Sequence, residues 1–326
     1  MKTLILGEHD VARLLPMDEC VEVMAEALEA LERGEMHQPL RFVVRPPDAA
    51  GLLGLMPAHR SRASAAFGLK AVCVMPGNPA RGLDAHQGVV ILSDGETGEV
   101  RAVVNASAIT AIRTAAVSAV ATRLLAREGA RELAVLGAGV QARSHLAAMA
   151  VARDFEVARI WSRTHEHAQA VAGETATPFP VEVAATAEEA VAGADVICTT
   201  TSAPEPILRR DWLRAGAHVN AVGSSIPTTR ELDTATMAAA SLFVDRREST
   251  VNEAGDFLFP QQEGAIGPEH IRAELGELLA GRAEGRRSDD ELTVFKSLGL
   301  AVEDLAAAEH VFRRARETGA GTEVEL

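Results

Sequence analysis

The sequence predicts an α/β protein in which a Rossmann-type, doubly wound parallel sheet is inserted into a mostly antiparallel α+β unit. Three observations carry this expectation. From Arg131 onward, short apolar runs alternate with helical stretches, the pattern of parallel strands joined by crossover helices. Before that point, strand-like runs follow one another through close turns, which favours antiparallel pairing. Finally, Gly137-Ala-Gly-Val-Gln-Ala142 ends the first strand of the later series and opens a helix, where a dinucleotide fold needs small residues.

In chain order, Met17–Arg33 sets Val21, Met24, Ala25, Leu28 and Leu31 at near-helical spacing opposite Glu22, Glu26, Glu29 and Glu32, which predicts an amphipathic helix. Strand candidates occupy Arg41–Arg45, Gly51–Met56, Phe67–Val74 and Gln87–Ser93. Asp94-Gly-Glu-Thr-Gly98 reads as a hairpin turn into Val100–Val104, and an Ala-rich helix follows over about Ser107–Arg127. The second series has strands at Glu132–Leu136, Val157–Trp161, Pro180–Val183, Asp195–Thr199, His218–Val222 and Ser241–Val244. The tail Asp289–Arg316 reads as a helix with Leu298, Val302, Leu305 and Ala306 as its buried stripe. The expected domains are residues 1–118 plus 300–326 and residues 119–299, the latter for the dinucleotide.

Composition narrows the partners. A chain of 326 residues has length for two domains and a sizeable core. Its 32 basic and 46 acidic residues leave a formal charge of −14, and aromatics are 3% with no Tyr. Such a chain repels nucleic acid and anionic membranes and lacks base-stacking platforms. Cys20, Cys73 and Cys198 are spaced for neither a disulfide framework nor a zinc ribbon, which suits a reducing, cytoplasmic setting. The N-terminal apolar run is too short for a signal peptide. The apolar tract Ala102–Ala126 is interrupted by Asn105, Arg113 and Arg123, so no membrane span is expected. His165 and His167 diverge on a helix, and no metal is expected.

The G-x-G-x-x-A run supplies a tight turn at Gly137, close backbone approach at Gly139 and close helix packing at Ala142, with Val140 and Gln141 opening the helix toward a pyrophosphate. An NAD-preferring site places an acid at the end of the second strand. Glu156 precedes that strand, which ends in Trp161-Ser162-Arg163-Thr164. Arg163 can pair with a 2′-phosphate flanked by two hydroxyls, so NADP is favoured and NAD remains possible. The loops Thr199-Thr200-Thr201-Ser202 and Val222-Gly223-Ser224-Ser225 follow strands at the ligand-bearing end of such a sheet. In the first third, Arg45 ends an apolar strand before Pro46-Pro47, while Lys70 and Arg113 interrupt apolar runs. Burying an unpaired charge is costly, so each requires a partner, and three cations in an acidic chain point to an anion pocket.

These features resemble the ornithine cyclodeaminase/mu-crystallin family over nearly the whole chain. The resemblance rests on Met56-Pro-Ala58, Gly68-Leu-Lys70, Gly82-Leu-Asp-Ala-His-Gln-Gly88, Ile109-Thr-Ala-Ile-Arg-Thr-Ala-Ala116 and Leu136-Gly-Ala-Gly-Val-Gln-Ala142. It continues through Val219-Asn-Ala-Val-Gly223, Arg230-Glu-Leu-Asp233 and Thr293-Val-Phe-Lys-Ser-Leu-Gly-Leu-Ala-Val-Glu-Asp304. It implies a homodimer acting on small α-amino or α-imino acids, with residues 1–118 plus 300–326 as the substrate-binding and dimerisation domain. It also implies that Arg45 and Arg113 hold the substrate carboxylate near Met56, with Lys70 beside the reacting carbon. Arg113, Thr114, His86, Val222 and Gly223 would lie by the cofactor, with Thr200 and Ser297. Cyclising members carry an acid in the loop after the fifth strand, whereas this chain has Ser225. That departure, with Arg163, points to NADPH-dependent reduction of a cyclic imino acid of the Δ1-pyrroline-2-carboxylate or Δ1-piperideine-2-carboxylate kind. Lys70 would be the proton donor, and Ser225 would position a water. Cyclodeamination, amino-acid dehydrogenation and non-catalytic carboxylate binding are the alternatives.

Overall fold

Alternation of period two builds the first sheet. In the computed structural model, which describes residues 2–61 and 65–325, Ala66, Gly68, Lys70 and Val72 are buried while Phe67 and Cys73 are exposed on the same strand. The strands are β1 (Lys2–Leu6), β2 (Met36–His37), β3 (Phe42–Val44), β4 (Leu52–Arg60), β5 (Ala66–Val74), β6 (His86–Asp94), β7 (Val100–Asn105) and the C-terminal β16 (Thr322–Glu325). Their order is β16-β1-β7-β6-β5-β4, with β2 and β3 sharing the outer edge of β4. Among the described residues only β1 and β7 run parallel in this sheet; the remaining pairs are antiparallel. The helices Ala301–Thr318 and Met17–Glu32 pack on each other, and the former lies against β4, β5 and β6. At Gly68 the approach is close: a Cβ there would stand 3.0 Å from Leu305.

The second sheet is parallel throughout. Its strands are β8 (Glu132–Leu136), β9 (Val157–Trp161), β10 (Val181–Val183), β11 (Val196–Thr199), β12 (His218–Ala221), β13 (Ser241–Val244), β14 (Ile271–Glu274) and β15 (Thr293–Lys296). They lie in the order β10-β9-β8-β11-β12-β15-β13-β14, with every pairing parallel. The order reverses at β8 and β11, where a doubly wound sheet opens its ligand crevice. Buried Leu, Val, Ile and Ala from these strands form one continuous core. The expected α/β class is the observed one, and two compact units separate, residues Met1–Arg113 with Leu300–Leu326 and residues Thr114–Gly299.

One expectation fails. The stretch Asp289–Arg316 is not one helix: Thr293–Lys296 is β15, inserted between β12 and β13, and the helix begins at Ala301. The Asp245 carboxylate accepts the N–H groups of Leu298 (2.5 Å) and Gly299 (2.8 Å), which pins the chain in a turn between strand and helix. The helix Ala106–Leu125 is long and apolar enough to cross a bilayer, but Ala115, Ala116, Val117, Ala119, Val120 and Ala121 are buried in protein.

Candidate active site

Strand register places the first polar cluster. Lys70 shares the helix-covered face of β5 with Gly68 and Val72, flanked across the sheet by Met56 of β4 and Val90 of β6. The helix that seats Leu305 on Gly68 therefore presents its preceding residue, Asp304, to Lys70. The Asp304 carboxylate bridges two cations, at 2.7 Å from Lys70 Nζ and 3.0 Å from Arg113 Nε. Arg113, from the helix Ala106–Leu125, also reaches Glu303 at 2.6 Å. All four side chains are at most 4% exposed. Both acids stand in the first turn of their helix, where the helix dipole favours anions. Glu303 in addition accepts the N–H of Leu300.

Burial lowers the proton affinity of Lys70 to a pKa of about 8, with Asp304 opposing the shift and Arg113 and Arg41 adding to it. His86, at the start of β6, is held below its ordinary range by desolvation and by the fields of Lys70 and Arg113. Burial pushes the Cys20 thiol up to about 12 despite Arg113 nearby, so it stays a neutral SH. The cluster can hold an anion and give up a proton near neutral pH. Arg45 is not brought into it. That residue stands exposed, one position beyond the end of β3, and the arginine whose field reaches Lys70 is Arg41.

In the second unit, Gly137 follows β8 at φ +127°, and a Cβ there would lie 2.5 Å from Thr200 Oγ1. Thr200 closes this turn by donating from N and Oγ1 to the Leu136 carbonyl. Gly139 caps the helix Val140–Ala152 in extended conformation; a Cβ there would meet nothing within 4 Å. Open space at a helix N-terminus, rimmed by exposed Val140, fits the pyrophosphate of a dinucleotide. Gln141 lies in the first turn, its carbonyl bonded to His145 Nδ1 at 2.7 Å. After β9, Ser162 is half-buried while Arg163 and Thr164 are exposed. Thr114, the residue after Arg113, is buried, as are Val222 and Ser297.

A further polar network in this unit escaped the sequence reading. The fully buried Glu231 accepts Thr199 Oγ1 (2.7 Å), Thr201 N (2.6 Å), Thr201 Oγ1 (2.7 Å) and Gly223 N (2.7 Å). It thereby ties the loop after β11 to the loop after β12. Behind it, Asp256 accepts the N–H groups of Glu231 and Leu232 and pairs with Lys296 at 3.0 Å. Lys296 also donates to the carbonyl of Ala221. Burial and the Asp256 charge raise Glu231 above the usual carboxylate range. The signal that could have found this network is Lys296, a charge inside an apolar run like Lys70, which was not singled out. Ser224 is bonded to Thr229, and Ser225 is half-buried in the same loop.

The parallel sheet with its glycine turn, and the buried Lys–Asp–Arg cluster, define a nicotinamide-dinucleotide oxidoreductase. More narrowly, the chain belongs to the ornithine cyclodeaminase/mu-crystallin family, whose model matches residues 1–319. It is 38% identical over 326 residues to a Δ1-pyrroline-2-carboxylate reductase of Bacillus cereus (99% of this chain, 100% of the relative). It is 44% identical over 279 residues to the ketimine reductase mu-crystallin of Mus musculus (86% and 85%). Among solved structures, the Δ1-pyrroline-2-carboxylate reductase of Thermococcus litoralis, in complex with NADH and L-proline, superposes with a TM-score of 0.96 at 36% identity. That match covers 99% of this chain and 100% of the other.

Proposed function

We propose that this enzyme reduces a small cyclic imino acid, of the Δ1-pyrroline-2-carboxylate or Δ1-piperideine-2-carboxylate kind, to the L-amino acid. The first unit holds the substrate and the second the dinucleotide, whose reduced nicotinamide supplies a hydride when bound. The carrying observation is the buried cluster in which Lys70 and Arg113 share Asp304. Arg113 and Arg41 bind the substrate carboxylate, the guanidinium fork suiting a planar anion. Arg41 takes the role expected of Arg45, because its field is the one that reaches Lys70. Held this way, the C=N carbon is fixed for hydride attack, and orientation is the main contribution to rate. Lys70 gives its proton to the imine nitrogen, directly or through a water placed by Ser225. A pKa of about 8 keeps the donor charged at neutral pH and makes its proton cheap to transfer.

We assign Gly137, Gly139, Val140, Gln141, Thr200, Val222, Gly223 and Ser297 to cofactor binding, and the family resemblance adds Thr114 and His86. NADPH is the favoured form, because Arg163, Ser162 and Thr164 follow β9 where an NAD site needs an acid. NADH in the Thermococcus relative supports the other form, and comparing kcat/KM for the two in wild type and Arg163→Ala decides between them. On the first sheet, the face away from the helices carries Leu53, Leu55, Leu69 and Ile91, half-buried, and exposed Phe67. An apolar face of this kind suits a second copy of the chain, which supports a homodimer. Its cysteines are all thiols, in keeping with a cytoplasmic setting. Lys70→Ala tests the chemistry: it should lose most of kcat while NADPH binds as before, and unchanged turnover would remove Lys70 from the mechanism.

A further inference from the structure

The chain uses lysine only at Lys2, Lys70 and Lys296 among its 32 basic residues. Two of the three are interior, each against an aspartate: Lys70 with Asp304 and Lys296 with Asp256. Arginine cannot lose its proton in proteins, whereas a buried lysine can. The Lys296 pair is enclosed by backbone carbonyl and carboxylate groups and has no role in proton transfer above. The Lys70 pair is different, because its aspartate also grips the arginine proposed to hold the substrate.

We propose that Asp304 is a positioning residue of the reaction: its carboxylate, bridging Lys70 Nζ and Arg113 Nε, keeps the donor proton on Lys70 and fixes both cations relative to one another. This rests on the imine-reduction reading for its purpose, though not for its geometry. The groups facing Lys70 are Asp304 from the helix Ala301–Thr318, Arg113 from the helix Ala106–Leu125, Arg41 ahead of β3 and His86 on β6. Asp304 is the anion among the groups that act on Lys70 most strongly, and burial, Arg113 and Arg41 all act against the ammonium. Without that carboxylate, the largest offset to them is lost. An opposite charge at such range shifts a buried group by about 1–3 pH units.

The test uses full-length protein labelled with [13Cε]lysine, in which three signals suffice, and follows the Lys70 signal with pH in the absence of substrate. Asp304→Asn should lower the Lys70 midpoint by about one unit or more, while the Lys296 signal stays in place and reports an intact fold. In the kinetic arm, a one-unit drop from about 8 costs roughly fivefold in kcat at pH 8 and almost nothing at pH 6. A purely structural role for Asp304 would lower activity equally at both. A Lys70 midpoint within about 0.3 unit of wild type, with the Lys296 signal intact, overturns the proposal. Should the Asn variant lose the Lys296 signal, Asp304→Glu decides. It keeps the charge and the midpoint, but displaces the ammonium, so kcat should fall about tenfold or more; unchanged kcat overturns the proposal. Failure of the imine-reduction reading shows separately, as wild-type protein that consumes no NADPH with cyclic imines, and leaves the titration result standing.

Discussion

Glu231→Gln is the most informative perturbation of the dinucleotide unit, because a single atom exchange acts on two loops. The carboxylate serves four donors, two of them the backbone N–H groups of Thr201 and Gly223, one at each oxygen. Glutamine keeps one oxygen and replaces the other with NH2. Whichever way it is turned, one backbone N–H faces another donor. A buried donor without an acceptor costs about 1–3 kcal/mol, and the surviving contacts lose their charge-assisted strength, about 1 kcal/mol more. The expected total is about 3 kcal/mol. If the loops loosen locally, this appears as NADPH affinity reduced about 100-fold. If the unit loosens globally, it appears as a Tm lower by about 6–12 °C. Fluorescence titration of NADPH together with thermal unfolding separates the two outcomes. A variant with wild-type affinity and wild-type Tm would refute the idea that Glu231 orders the loops after β11 and β12.

Gly137→Ala should abolish dinucleotide binding by titration, since its Cβ would stand 2.5 Å from Thr200 Oγ1 and 2.8 Å from Thr200 O at a φ of +127°; retained affinity would remove this turn from the site. Arg41→Ala should raise the imino-acid KM roughly 10- to 100-fold, the worth of a charged hydrogen bond, while Arg45→Ala stays within about twofold. Equal effects in steady-state kinetics would contradict the assignment. His145 and His218 are buried, and their pKa values are depressed to about 4 and about 3, chiefly by desolvation. The unfolded chain therefore binds more protons than the folded one below about pH 6.5, and stability falls as pH drops through that window. At pH 4.5 each histidine removes about 2.5 kcal/mol. Denaturant titrations at pH 7 and 4.5 should show His145→Gln losing less stability than wild type, and identical losses would exclude the mechanism.

Most of the parallel sheet was legible because each of its early strands is a short β-rich run set between helical segments, as in Glu132–Leu136 and Val157–Trp161. β15 was hidden because Leu292, Val294, Phe295 and Leu298 continue the apolar spacing of the following helix. What ends that pattern is a tertiary contact, the Asp245 carboxylate on the backbone of Leu298 and Gly299. β14 carries Arg272 and Glu274 in only four residues, so its pattern resembles a loop. In the site, Lys70 and Arg113 were legible as charges that apolar neighbours cannot accommodate. Their counter-ions were not: Glu303 and Asp304 look like the solvated first turn of an amphipathic helix until strand register turns that face inward. Arg41 and Arg45 differ only by their place along one strand. Arg41 precedes β3 and Arg45 follows it, so their placement depends on how that strand pairs with β4, a long-range contact.

In the proposed reaction, the buried Lys70–Asp304–Arg113 cluster and the glycine turn after β8 serve one hydride transfer to a carboxylated imine. The most direct measurement incubates the purified enzyme with NADPH and Δ1-pyrroline-2-carboxylate, following nicotinamide absorbance and analysing the product by chiral chromatography. One L-proline should form for each NADPH consumed, and Lys70→Ala should lose that turnover. Imino acid that binds without being reduced, or ornithine converted to proline and ammonia with no net consumption of the cofactor, would contradict this reaction.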